Sequence, residues 1–359
     1  MSISVWPRRV ASVVAAAAAV IVGTAQPASA HTIGGVQATN YRSEIIAVTP
    51  AVPGLTIRLR DLGRRIELVN KTGQDVMILG YQGEPYLRVG PAGVFENRRS
   101  PSLYQNKVTT GTATLTSLPP QADPNAPPEW HRRSGGRTVS WRDHRVRWEG
   151  ADPPGVRANP GLTQTVLTQW NVALVHGTDP VAVTGRITWV PGPAATPWLL
   201  SIVLLFVLTF ALGATRWWPG ALSGALAFLL AGDMVRLYGA ATAAGGSVVA
   251  GLLKAFLFGL LEVMAWAAGV WAVGAVQERR AVGLYAAMAV GVVIGFVSGV
   301  GDLLNLAYSQ VPTALPTDAA RAAVVVCLGL GFGLVGGSFL ALRRLGSDTP
   351  QGVAPSVRV

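Results

Sequence analysis

Charge is scarce in this chain, and lysine scarcer still. Only 13% of its 359 residues are charged, against about a quarter in an average globular protein. Lysine stands at three positions, Lys71, Lys107 and Lys254. The shortage is uneven. Residues 31–196 carry 18 Lys and Arg with 12 Asp and Glu, whereas residues 197–359 carry 9 and 6. Two halves in two solvents fit this better than one weakly charged domain. Cysteine is almost missing. A single one, Cys327, excludes an intrachain disulfide and any zinc site built from cysteine pairs. All four histidines (His31, His131, His144 and His176) precede the apolar half, which excludes a membrane haem held by histidines. H-E-x-x-H, G-x-S-x-G and the P-loop pattern are absent. Acids such as Glu84, Glu96, Glu129 and Asp143 are present, but linear sequence does not pair them. The expectation is a non-enzymatic protein.

The N-terminus carries a targeting pattern. Pro7-Arg8-Arg9 ends a basic stretch, residues 11–23 are Ala- and Val-rich, and Ala28-Ser29-Ala30 is an A-x-A cleavage signature. Residues 1–30 are read as a signal peptide, and His31 becomes the mature N-terminus. Apolar stretches near 197–215, 219–239, 247–275, 281–308 and 320–342 are each long enough to cross a hydrocarbon core of about 30 Å. Residues 197–345 are therefore expected to form five transmembrane helices, with residues 346–359 a disordered cytoplasmic tail. Four spans and a re-entrant second segment is the alternative. Arg216, Glu278-Arg279-Arg280 and Arg343-Arg344 fall at the inner ends, as the positive-inside rule asks. Residues 31–196 are then outside the cytoplasm, in a multi-pass protein whose partner is the lipid bilayer.

Five charged residues inside these spans are singled out: Asp233, Arg236, Lys254, Glu262 and Asp302. Such residues cost several kcal/mol unless paired or hydrated, so they mark function by default. They are expected to form a polar pocket opening outward with Glu262 deepest, or else mutually neutralising pairs. Gly291, Gly295 and Gly299 recur every four residues, as do Gly329, Gly333 and Gly337. Each set lines one helix face and allows close helix packing. A G-x-G-x-x-G match at Gly331, Gly333 and Gly336 has no strand before it, so it reads as packing rather than nucleotide binding.

Residues 31–196 read as β. Short β-branched or alternating runs recur at 44–49, 55–60, 65–70, 76–81, 87–89, 138–142, 165–176 and 181–190, with turn residues between them. Eight short strands in one domain predict an all-β immunoglobulin-like sandwich. Residues 117–137 read as a long loop. Arg132, Arg133, Arg137, Arg142, Arg145 and Arg147 gather around Trp141 and Trp148. Outside the cell such a cluster meets no nucleic acid; anionic lipid, an anionic polymer or an envelope protein are the partners it fits. Solvated strand faces are the simpler account. His144 beside Asp143 is read as a core residue or a ligand.

Ala28-Ser29-Ala30 before His31, and the run Trp170–Val175, His176-Gly177-Thr178-Asp179-Pro180, Val183-Thr184-Gly185, resemble the ends of the periplasmic copper-binding CopC family. That resemblance implies extracytoplasmic Cu(II) binding through the amine and imidazole of His31, with His144, His176 and Asp179 as further ligands. Imidazole, amine and carboxylate suit Cu(II). The His and Asp stand in reverse order to the family's D-G-H turn. The stretch 80–101 and the Arg-, Ala-, Gly- and Val-rich composition resemble actinobacterial membrane proteins. The reading is a membrane-tethered extracytoplasmic binding or assembly module, with copper handling as the alternative. Passage of a solute needs a continuous polar path, and the inner half of the spans offers almost none beyond Glu262.

Overall fold

The computed structural model describes residues 36–107, 118–243, 249, 253, 256 and 259–347. The expected signal peptide, His31, Lys254 and residues 348–359 lie outside this set. The chain divides into two compact units, a β unit (Ala38–Gly192 with Tyr308–Pro312) and a helical unit that holds the apolar spans.

The β unit contains two antiparallel sheets. The strands are β1 (Tyr41–Thr49), β2 (Leu55–Arg60), β3 (Arg65–Asn70), β4 (Val76–Leu79), β5 (Pro85–Gly90), β6 (Gly93–Asn97), β7 (Trp130–Ser134), β8 (Thr138–Arg142), β9 (Gln164–His176) and β10 (Asp179–Trp189). One sheet has the order β1-β10-β9-β4-β5-β6-β7 and the other β2-β3-β8. Alternation builds them. Along β3, Ile66, Leu68 and Asn70 point inward while Arg65, Glu67 and Val69 are half-buried. Ile66, Leu68, Ile78, Leu87, Leu174 and Ile187 are buried in the shared core. The β9–β10 hairpin turns tightly at Gly177, whose φ of +62° favours glycine, and pairs His176 with Asp179.

Two strands, β6 (Gly93–Asn97) and β7 (Trp130–Ser134), lie outside the eight expected runs. Residues 117–137 are not one loop, because β7 lies within them and pairs with β6. The sequence gives little sign of β7, since His131, Arg132, Arg133 and Ser134 are all exposed. The pairing, not burial, makes it a strand. The short helix α1 (Pro101–Gln105) follows β6, and α2 (Pro154–Ala158) precedes β9. Tyr308–Pro312 joins this unit through Thr39. Thr39 N donates to Gln310 O (3.0 Å) and Gln310 N returns to Thr39 O (2.9 Å). Ser309 N donates to Asn40 Oδ1 (2.8 Å).

Among the described residues, the helical unit has five helices long and apolar enough to cross a membrane. They are α3 (Thr196–Gly213), α4 (Trp218–Ala243), α5 (Leu260–Gln277), α6 (Ala281–Ile294, extended by the π-helical Gly295–Val300) and α7 (Thr317–Ser347). α4 is one continuous helix of 26 residues, about 39 Å long at the α-helical rise; that length favours a full span over a re-entrant segment. In α7, 67% of the most apolar window is buried, against 11% in α3. The last helix is therefore the centre of the bundle, and α3, α4 and α6 pack on it. Outward-facing Leu200, Val203 and Leu204 on α3 stay exposed, as a lipid-facing surface requires.

The expected glycine faces lie at helix contacts. A side chain on Gly291 would meet the carbonyl of Gly331 on α7, and one on Gly299 would meet Leu328 Cδ2 at 2.7 Å. A side chain on Gly295 would first meet the Phe332 ring, at 3.2 Å. On the other face of α7, a side chain on Gly329 would meet Leu205 Cβ (2.7 Å), one on Gly333 Thr209 Cβ (2.7 Å) and one on Gly337 Thr209 O (2.6 Å), all on α3.

Candidate functional site

Four of the five charged residues expected within the spans come together in the bundle; the fifth, Lys254, is outside the described residues. Arg236 is the hub. Its Nε donates to Asp233 Oδ1 (2.9 Å), Nη1 to Asp302 Oδ2 (2.9 Å), and Nη2 to Glu262 Oε1 (2.7 Å) and Ser298 Oγ (3.0 Å). Spacing supplies one of these pairs. Asp233 and Arg236 sit three apart on α4, where side chains share a face. The others come from packing, Glu262 from the first turn of α5 and Asp302 from just beyond the π-helical turn. That turn contains Gly295 and Gly299 and is followed by Gly301. Gly301 N bonds five residues back to Phe296 O (3.2 Å). π turns interrupt helices most often at working sites.

Three further side chains complete the cluster. Ser298 Oγ donates to Glu262 Oε1 (3.0 Å), Trp266 Nε1 to Asp233 Oδ2 (2.8 Å), and Cys327 Sγ lies 3.8 Å from Asp233 Oδ1. The side chains of Asp233, Glu262, Arg236 and Asp302 are 0%, 8%, 11% and 16% exposed. Among the described residues the arrangement is an ion-paired cluster, with Asp302 its most exposed member. Ser298, Trp266 and Cys327 carry no mark in the sequence except that Ser298 and Trp266 lie four residues from Asp302 and Glu262 on their own helices.

The expected copper ligands fare differently. His31 lies outside the described residues. Both ring nitrogens of His144 are engaged, Nδ1 by Glu149 Oε1 (2.7 Å) and Nε2 by Gln105 O (3.1 Å). His176 Nε2 bonds Thr72 Oγ1 (3.0 Å). Among the described residues, no three His, Cys, Asp or Glu side chains form a group able to hold a metal ion, so His144, His176 and Asp179 do not assemble as one.

Four of the six arginines of 132–148 fall into two sets. Arg145 is held by Asp143 through two bonds (2.8 and 2.7 Å), and Asp143 also accepts from Trp141 Nε1 (3.0 Å). Arg147 pairs with Glu149. Arg133 and Arg142 instead line a cleft of about 330 Å³ with Arg65, Lys107 and Glu96. Burial and the neighbouring guanidinium groups of Arg65 and Arg147 push Arg142 below its ordinary value. Burial, then Arg147 and Arg142, do the same to Arg64.

No family model, curated protein or solved structure matches this chain.

Proposed function

We propose that this protein is a non-enzymatic module of the cell envelope. An exported, immunoglobulin-like β unit meets an envelope partner. It is carried on a five-helix bundle whose Arg236 cluster exchanges a proton. In this reading a signal peptide ending at Ala30 leads the β unit out of the cytoplasm, and the C-terminus stays inside.

The observation that carries the reading is three carboxylates converging on one guanidinium. Ionised together, the described groups leave two negative charges in excess among apolar helices. Each buried ion costs several kcal/mol unless compensated. A proton on one carboxylate halves the excess. Asp233 is the worst acceptor, because Arg236, Trp266 and Cys327 already point donors at it. Glu262 Oε2 and Asp302 Oδ1 have no donor among the described residues, so these two are the proton carriers. Tethering needs one apolar span, and apolar side chains commonly replace a purely structural ion cluster without loss. Intramembrane acids that change charge are the usual parts of proton-responsive proteins.

Infrared spectra of the reconstituted full chain, compared between acidic and alkaline buffer, test this. A pH-sensitive protonated-carboxyl band is expected. Glu262→Gln or Asp302→Asn removes it, and Asp318→Asn, at a side chain 78% exposed, leaves it. No such band in the wild type, or one that survives both cluster variants, refutes the reading. So does a band that appears only in Lys254→Gln, because lysine would then supply the missing charge.

A further inference from the structure

The cleft of the β unit draws its walls from both sheets. β7 belongs to the large sheet and β8 to the small one, and only residues 135–137 join them. The cleft is walled by Arg65 and Arg142 from the small sheet and by Glu96 and Arg133 from the large one. Lys107, after α1, and the buried Asn106 complete it. Four cations face one acid. Three form no ion pair: among the described residues no carboxylate lies within 4 Å of Lys107, Arg133 or Arg142, and only Arg65 reaches one, Asp61 at 3.8 Å. Asn106 lines the cleft with Tyr86, its Oδ1 accepting from the Tyr81 hydroxyl and its side chain bonded to the Tyr86 hydroxyl.

We infer that this cleft binds a phosphate-type oxyanion, as a free solute or as a lipid headgroup. Guanidinium groups match such oxygens with paired donors, and an anion would also relieve the crowding of Arg142 by Arg65 and Arg147. The volume, about 330 Å³, is at the lower end for small-molecule sites, which suits a headgroup or a small phosphorylated solute rather than a folded partner. The inference rests on the β unit being a binding domain. It is independent of proton exchange in the bundle, so the two experiments fail separately.

The full chain in detergent is titrated with inorganic phosphate by calorimetry at low ionic strength, with chloride at matched ionic strength as control. Saturable binding is expected, weakened about tenfold or more in Arg142→Gln and in Arg133→Gln. Arg157→Gln, at an exposed position on α2, leaves it unchanged. Hydrogen exchange on the wild type removes any dependence on variants that fold poorly, because bound phosphate slows exchange in residues 130–142. Protection there only when phosphatidylglycerol replaces phosphatidylcholine in nanodiscs assigns the oxyanion to a lipid. No protection by phosphate or by phosphatidylglycerol overturns the inference. Binding that both arginine variants retain in full overturns it too.

Discussion

Removing Arg236 would leave Asp233, Glu262 and Asp302 facing one another with no guanidinium between them. Breaking a buried pair from one side costs about 3–5 kcal/mol, so Arg236→Leu is expected to melt the bundle well below the wild type in detergent. Arg236→Lys recovers little, because an ammonium on a flexible stem cannot reproduce a planar fork that serves three acids. Asp233→Asn should cost more than Asp302→Asn, since Asp233 holds three donors and Asp302 one; the reverse order in thermal unfolding would contradict the assignment. Glu84 presents the same physics in the β unit. Its carboxylate accepts from Ser100 Oγ (2.7 Å), Ser102 Oγ (2.7 Å) and Gln82 N (3.0 Å). Burial opposes the charge, but the bonds from Ser102 and Ser100 outweigh it and hold Glu84 below the usual carboxylate range. A folded value below the unfolded one, about 4.3, means stability that is complete above the unfolded value and is lost as pH falls through the folded value. Glu84→Gln should therefore destabilise the β unit by about 1–3 kcal/mol at neutral pH. The gap from wild type should narrow in acid, as read by denaturant unfolding at both pH values.

At the scale of the element, the glycine faces separate hard contacts from soft ones. Gly337 and Gly291 face backbone carbonyls, which cannot move aside, whereas Gly295 faces an aromatic ring that can turn. Gly291→Val and Gly337→Val should push helices apart and lower the melting temperature sharply, with Gly295→Ala milder. Gly274 has nothing within 4 Å, so Gly274→Ala should be neutral or stabilise by up to about 1 kcal/mol, the helix-propensity difference. Equal losses at Gly274 and Gly291 would show that the close contact does not matter. These faces were legible because a spacing of four puts glycines in register whatever the partner is. The same local rule identified β2, β3, β8, β9 and β10. It could not find β7, where the four residues after Trp130 are polar and exposed and whose backbone pairs with β6.

Across the whole molecule, the division into a β unit and five long apolar helices was readable from where charge is missing. The cluster was readable only in part. Which residues are costly in a span follows from their type, but their partners do not. Arg236 reaches residues 26 and 66 positions away, and no local spacing encodes that choice. The cleft was harder still, because six neighbouring arginines look alike in a row and only the fold separates Arg145 and Arg147, which are ion-paired, from Arg133 and Arg142. The strand-like pairing of Thr39 with Gln310 has a practical consequence. The β unit is assembled from two stretches of chain more than a hundred residues apart, so a cut after Gly192 does not release the same object. A fragment of residues 38–192 would begin beside donors and acceptors that Ser309 and Gln310 meet in the intact chain. Its first strand should exchange amide hydrogens faster at Thr39–Tyr41 than in the full protein, and supplying residues 308–312 on a linker should slow that exchange again.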